Sequence, residues 1–262
     1  MNDKTKYEIL RRREMMKGYT AADVGAEETD QQQKLPYPAP LKAAKGSKRI
    51  PLPLDFEEIV SGKNLFVLLQ ERESCRKYKD AELSLKELSF LLWAAQGVRR
   101  YAGKQKQVTF RNVPSAGSRH PFETYLFIRR VEGMKKGIYH YLPAAHELEV
   151  WEENEEYEQE LTEALCGQKF AAEAPVTFVW SVIPYRTEWR YGLKAQKYAL
   201  IDAGHVCENL YLACEAVGCG TCAIGAYDQE LLDELLGFAP GPSSEAGYEF
   251  ALYAAPVGKK DS

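Results

Sequence analysis

The chain has 262 residues, 45% of them hydrophobic, which suffices for one sizeable core or for a core with an extension. Its 34 basic and 38 acidic side chains leave a formal net charge of −4, so no broad basic face is available for nucleic acid phosphates. The opening MNDKTKYEILRRREMM lacks the apolar stretch of a signal peptide, the longest apolar runs are too short or too interrupted to span a bilayer, and neither end carries a lipidation pattern. The expectation is a cytoplasmic protein that binds neither membrane nor nucleic acid.

Taken in order, Lys4 to Lys17 reads as a charged helix. A polar stretch and a connector containing Pro36, Pro38, Pro40, Pro51 and Pro53 follow. Prolines this dense resist helix and central strand, so residues 1–63 are expected to form a helix and an arm laid over a surface, and residues 64–262 the folded domain. Leu65 to Glu71 looks helical. Ser84-Leu-Lys-Glu87 is a capping box opening a helix that carries Leu88, Leu91, Leu92 and Ala95 and stops at Gly97. Thr124 to Arg129, Gly137 to Tyr141 and Glu147 to Trp151 have strand patterning. Glu155 to Leu165 reads as a helix and Val176 to Ile183 as a buried strand. A long helix then ends at Val217 with a stripe of Val206, Leu210, Ala213 and Val217, and Gly218 suits its C-terminus. Thr221 to Tyr227 is expected as a strand, Asp228 as the cap of a helix through Leu236, and Glu249 to Ala254 as a final strand. The order is mixed α and β without regular alternation, and no glycine-rich phosphate loop is present.

Three stretches could carry chemistry. Arg72, Ser74 and Arg76 occupy alternate positions, so in an extended segment they share one side. Two planar guanidiniums and a hydroxyl suit a phosphate, although a charged helix end would read the same way. Pro114-Ser-Ala-Gly-Ser-Arg-His-Pro-Phe-Glu123 brackets small residues with prolines, which allows a backbone to approach a flat ligand or simply leads into a strand. Gly220-Thr-Cys-Ala-Ile-Gly-Ala-Tyr-Asp228 could lay an amide against a ligand edge or pack as a tight strand. Six cysteines are present; the Cys219/Cys222 pair has redox spacing but is read as ordinary buried thiols, because it precedes a strand rather than a helix. His205 has Asp202 and Glu208 nearby in sequence, but i and i+6 diverge around a helix, so it is read as a structural histidine with one hydrogen bond and no metal is expected.

R-x-S-x-R at Arg72 to Arg76, S-x-x-E-L-S-x-L-L-W-A-A-Q-G at Ser84 to Gly97, the Pro114 to Glu123 segment, and D-A-G-H-V-C-E-N-L-Y-L-A at Asp202 to Ala213 follow one another in an order that resembles the nitroreductase superfamily. Within it the chain is most similar to the SagB-type dehydrogenases, which include azoline oxidases of peptide natural-product pathways. The likeness runs from about Arg72 to Lys259.

The resemblance implies an α+β fold with an antiparallel-rich central sheet flanked by helices, in an intertwined homodimer holding two FMN molecules. It places Arg72, Ser74 and Arg76 at the phosphate and ribityl chain. Pro114, Ser115, Ala116, Gly117 and Ser118 fall in the loop lent to the partner's flavin ring. Ile224, Gly225 and Ala226 match the strand end beside the reactive nitrogen. Lys259, with Lys260 as the alternative, matches a late basic residue near the phosphate. The implied activity is hydride transfer from NADH or NADPH through FMN to a small acceptor, a nitro compound or quinone. Oxidation of a peptide azoline or other metabolite, and a flavin-binding module without turnover, are the competing expectations.

Azoline oxidases are associated with a Lys-Tyr pair. Here Arg190-Tyr191-Gly192 falls where that pattern reads Lys-Tyr-Gly, and Lys197-Tyr198 is a second Lys-Tyr pair seven positions later. Arginine does not give up its proton in proteins, so Arg190 cannot be the base. Tyr191 and Lys197 are the candidate proton handlers; tyrosine as a packing residue fits Tyr191 equally well.

Overall fold

The computed structural model describes residues 2–19, 28–46, 48–154, 156–241 and 243–261. In chain order come α1 (Asp3–Glu14), β1 (Arg49–Pro51), α2 (Leu65–Glu71), α3 (Leu85–Gln96), β2 (Val98–Ala102), β3 (Val108–Arg111), β4 (Phe122–Ile128), β5 (Gly137–Leu142) and β6 (Glu147–Glu152). Then follow α4 (Glu158–Ala164), α5 (Lys169–Ala172), β7 (Val176–Val182), α6 (Tyr185–Tyr191), α7 (Ala195–Ala216), β8 (Cys219–Thr221), α8 (Gln229–Leu235) and β9 (Phe250–Lys259).

Every residue of β4 and β7 is buried, as their unbroken apolar and aromatic runs require of central strands covered on both faces. The sheet order is β1-β6-β5-β4-β7-β9-β8, and its ladders are antiparallel. Alternation sorts the side chains. Leu126, Ile128, Phe178 and Trp180 face a core shared with α3 and α7, whereas Tyr125, Phe127 and Val179 face a second core under α4 and α8. The α+β architecture expected of the sequence is therefore the one found.

Local signals explain the flanking helices. Ser84 and Glu87 form the expected capping box, and α3 ends at Gly97. Asp228 caps α8 by accepting from the Leu231 amide. On α7, Val206, Leu210, Ala213 and Val217 are buried, while Leu200 and Ile201 on the outer side stay exposed. No helix among the described residues is long and apolar enough to cross a membrane.

Two local expectations differ from the fold, and one pairing goes beyond them. The strand expected over Thr221 to Tyr227 is a ladder only at Cys219–Thr221; the chain then leaves the sheet and touches it again where Ile224 exchanges both backbone hydrogen bonds with Ala254. The small residues Ala223, Gly225 and Ala226 offer too little side chain to hold a continuous pleat. The β2–β3 hairpin is a pairing the sequence reading did not include. His205 is exposed on α7 and makes no hydrogen bond with the described residues, against the one expected of it.

The described cysteines are free thiols, and burial pushes the Cys219 thiol up to about 12. Among the described residues no group of side chains is arranged to hold a metal ion.

The proline-rich segment lies along the domain. Prolines lack amide hydrogens but keep their carbonyls, so the body supplies the donors. Trp189 Nε1 donates to Leu35, Arg186 Nε to Ala39 and Arg111 to Pro40. Beyond these contacts, Glu149 Oε2 accepts the Lys45 and Gly46 amides, and Glu123 Oε1 accepts the Lys42 amide at 3.2 Å. Lys42 Nζ reaches Glu249 at 2.5 Å and lies 4.6 Å from the Trp151 ring centre. His140 bridges the two anchoring carboxylates, Glu123 at 3.0 Å and Glu149 at 2.8 Å. Arg186 joins Glu123 at 2.5 Å. Burial opposes ionisation of Glu123, but the Arg186 guanidinium and His140 hold its carboxyl well below the usual carboxylate range.

Candidate active site

At the end of α2 the backbone turns extended at Arg72, with φ −59° and ψ 118°. The next residues form a one-residue parallel bridge, Ser74 with Thr221, and the Cys75 amide donates to the Thr221 carbonyl at 2.8 Å. Extension puts Arg72, Ser74 and Arg76 on one side and turns Cys75 to the other. Arg72 is half-buried, and Ser74 and Arg76 are exposed. The approach of this segment to β8 requires Gly220, where a Cβ would stand 2.6 Å from the Cys75 Cβ.

Tyr211 on α7 ties the first stretch to the third. Its hydroxyl is 3.0 Å from Ser74 Oγ and accepts the Ala223 amide at 2.8 Å, and the Arg72 guanidinium lies 5.4 Å from its ring centre. The Ala223 amide is one residue before Ile224, whose pairing with Ala254 leaves Gly225 and Ala226 at an exposed strand end. One tyrosine thus ties the Arg72 guanidinium, the Ser74 hydroxyl and the strand end together, with Arg76 further along the same segment. Tyr211 lies within the Asp202 to Ala213 motif, and its only signal in the sequence is a polar aromatic within the apolar repeat of the helix.

Lys259 ends β9 opposite Cys219, and its carbonyl accepts the Lys79 amide at 3.0 Å. Its ammonium pairs with Glu87, the capping-box acid, while Lys260 pairs with Glu215 at 2.6 Å. Both late lysines therefore carry a carboxylate partner.

The second stretch belongs to a different place. Ser115 Oγ donates to Asp202 at 2.5 Å and the Ala116 amide donates to the same carboxylate at 3.1 Å, which pins the Pro114 to Ser118 loop to α7. Burial raises the Asp202 carboxyl, against the two hydrogen bonds that favour its charge. Gly117 takes φ +56°, and a Cβ there would meet the Tyr191 hydroxyl at 2.6 Å and the Arg190 side chain at 3.0 Å. Tyr191 and Tyr198 pack with ring centres 4.6 Å apart, so the two candidate tyrosines adjoin. Tyr191 stands against this loop, and Lys197 is half-buried in the first turn of α7.

Asp202 and Tyr211 are nine residues apart on α7, about 14 Å along the axis and roughly half a turn round it. The loop group and the arginine group hence face away from one another within one protomer.

A model of the nitroreductase family matches residues 69–259. A Methanocaldococcus jannaschii protein named as a nitroreductase is 36% identical over 206 residues, covering 79% of this chain and 94% of that protein. The crystal structure of a nitroreductase-type protein from Ralstonia eutropha is 27% identical, covers 87% of this chain and 95% of its own, and superposes with a TM-score of 0.65. At 15% identity and a TM-score of 0.51, over 75% of this chain and 69% of its own, the NADPH:FMN oxidoreductase of Vibrio harveyi shares the fold. The chain belongs to the nitroreductase family.

Proposed function

We propose that the protein is an FMN-dependent oxidoreductase working as a homodimer, taking hydride from NADH or NADPH and reducing a small electrophile such as a nitro compound or a quinone. The observation that carries this reading is the division of the flavin-contact residues between two faces of α7. One ligand contacts both sets only if the loop of a second protomer completes the site. Exposed apolar side chains on the outer surface, Ile201 on α7 and Phe66 on α2, support such a partner.

The residues fit a flavin phosphate. Arg72 and Arg76 offer planar donor forks on the side shared with the Ser74 hydroxyl, and the Gly225 and Ala226 backbone provides a flat approach. FMN, when bound, supplies the two-electron chemistry. The chain's share is to hold the phosphate at Arg72, Ser74 and Arg76 and to shape the ring's edge at Ile224 to Ala226. The Pro114 to Ser118 loop covers the neighbouring protomer's ring. Lys259 joins the phosphate only by exchanging Glu87 for it. Tyr191, which adjoins Gly117, is the first candidate to give a proton to reduced product, and Lys197 is the second.

The SagB-type likeness suggests the reverse direction, oxidation of an azoline or other metabolite. Arg190 in place of lysine removes the base that direction needs, so the reductive direction is preferred.

The test is purification followed by titration with FMN. Yellow protein that NADH or NADPH bleaches, and that menadione or nitrofurazone restores, supports the reading; protein that stays colourless in excess FMN overturns it. Sedimentation of a monomer with full activity would remove the shared site.

A further inference from the structure

A cavity of about 370 Å³ lies between α6, the first turns of α7 and the start of β9. Its floor is Val182, Phe250 and Leu252, its wall Ala199 and Leu200, and Tyr248 stands beside Phe250 with ring centres 5.6 Å apart. That volume falls within the range of small-ligand sites, roughly 300–1,000 Å³. The charges of the lining are all of one sign. Glu188 and Glu245 belong to it, and it contains no lysine, arginine or histidine among the described residues. Glu188 sits three residues after Tyr185 on α6, so the two share a face. The Tyr185 hydroxyl is engaged by Asp30 at 2.8 Å, whereas the Glu188 carboxylate makes no hydrogen bond or ion pair with the described residues. An apolar, aromatic-walled hollow with an unmatched carboxylate is complementary to a cation carried on an apolar body, which gains from the carboxylate and from the ring faces together.

We propose that this cavity binds an organic monoamine in its protonated form, the ammonium at Glu188 and the apolar body against Phe250, Leu252 and Leu200. Burial pushes the Glu188 carboxyl up with no neighbouring cation to oppose it, the condition a bound ammonium relieves. The site does not depend on the flavin reading, since its lining is provided by a single chain and shares no residue with the arginine group.

Calorimetric titration of the full-length protein with three probes of one shape tests the proposal: 4-phenylbutylamine, 4-phenylbutanol and 4-phenylbutyrate. The amine is expected to bind about tenfold more tightly than the alcohol, and the carboxylate weakest. Glu188→Gln should erase the amine's advantage and leave the alcohol's affinity unchanged. Ala199→Met, which fills the apolar side, should weaken amine and alcohol alike. Equal affinities for the three probes in the wild-type protein, or no binding at all, overturn the proposal without recourse to a variant. An amine advantage that survives Glu188→Gln, or binding indifferent to Ala199→Met, places the amine elsewhere and also overturns it.

Discussion

The Ser74 hydroxyl stands 3.0 Å from the Tyr211 hydroxyl, a contact across 137 positions of sequence that fixes the arginine-bearing segment to the long helix. The same phenol oxygen receives the Ala223 amide. Tyr211→Phe removes both hydrogen bonds at a stroke. Each is worth about 1 kcal/mol, so FMN affinity is expected to fall about tenfold, with a small loss of thermal stability. Quenching of FMN fluorescence on titration measures the first and a melt the second; unaltered affinity would show that Tyr211 does not organise the site.

Arg76 is exposed on the side of the segment that carries Ser74. Arg76→Ala should weaken FMN by roughly tenfold, the scale of a hydrogen bond to a charged group beside solvent. Riboflavin, which lacks the phosphate, should bind wild type and variant alike. Parallel losses for both flavins would move the arginine away from the phosphate.

Gly117 combines φ +56° with a close approach to Tyr191. Gly117→Ala is expected to cost about 1–2 kcal/mol from the left-handed backbone alone, and more from the hydroxyl in its way. Adding Tyr191→Phe should recover the steric part and leave the backbone part, so the two changes are coupled rather than additive. Urea unfolding of the four proteins of the cycle reads the coupling; strict additivity would mean the loop yields freely.

Glu123 ionises in the folded protein well below its ordinary value of 4.5. As pH falls below that value the unfolded chain takes up a proton that the folded one refuses, so stability is retained above pH 4.5 and lost progressively beneath it. The arm, anchored at Lys42 to this carboxylate, is expected to stay protected from protease on acidification until the sheet itself unfolds, because the folded carboxyl keeps its charge. Glu123→Gln should flatten the acid limb of the stability curve while lowering stability at neutral pH. An unchanged acid limb in the variant would assign the effect to other carboxylates.

The elements most readable from sequence were those whose local chemistry suffices: the capping box at Ser84 and Glu87, the apolar stripe of α7, the Asp228 cap and the buried runs of β4 and β7. Hidden features were those created by distant partners. Nothing near Tyr211 announces that it will meet Ser74 and Ala223. Nothing around Thr221 says that the ladder begun at Cys219 stops there, where the following side chains are small. The Glu123–His140–Glu149 bridge joins three strands, and only the fold reveals that these carboxylates take hold of arm amides. Arg72, Ser74 and Arg76 were legible as a set through their alternation; the pairing of Lys259 with Glu87 was not, since the two are 172 positions apart.

β1 covers the edge of β6 with a three-residue ladder, from Arg49 opposite Glu149 to Pro51 opposite Glu147. Without that strip, β6 would offer a row of unsatisfied amides and carbonyls to any extended polypeptide that drifted past. The strip itself is a poor template for further growth, being short, charged at Arg49 and missing a donor at Pro51. The arm thus works as selvedge, finishing a sheet that would otherwise be open to fraying or to being sewn onto a neighbour.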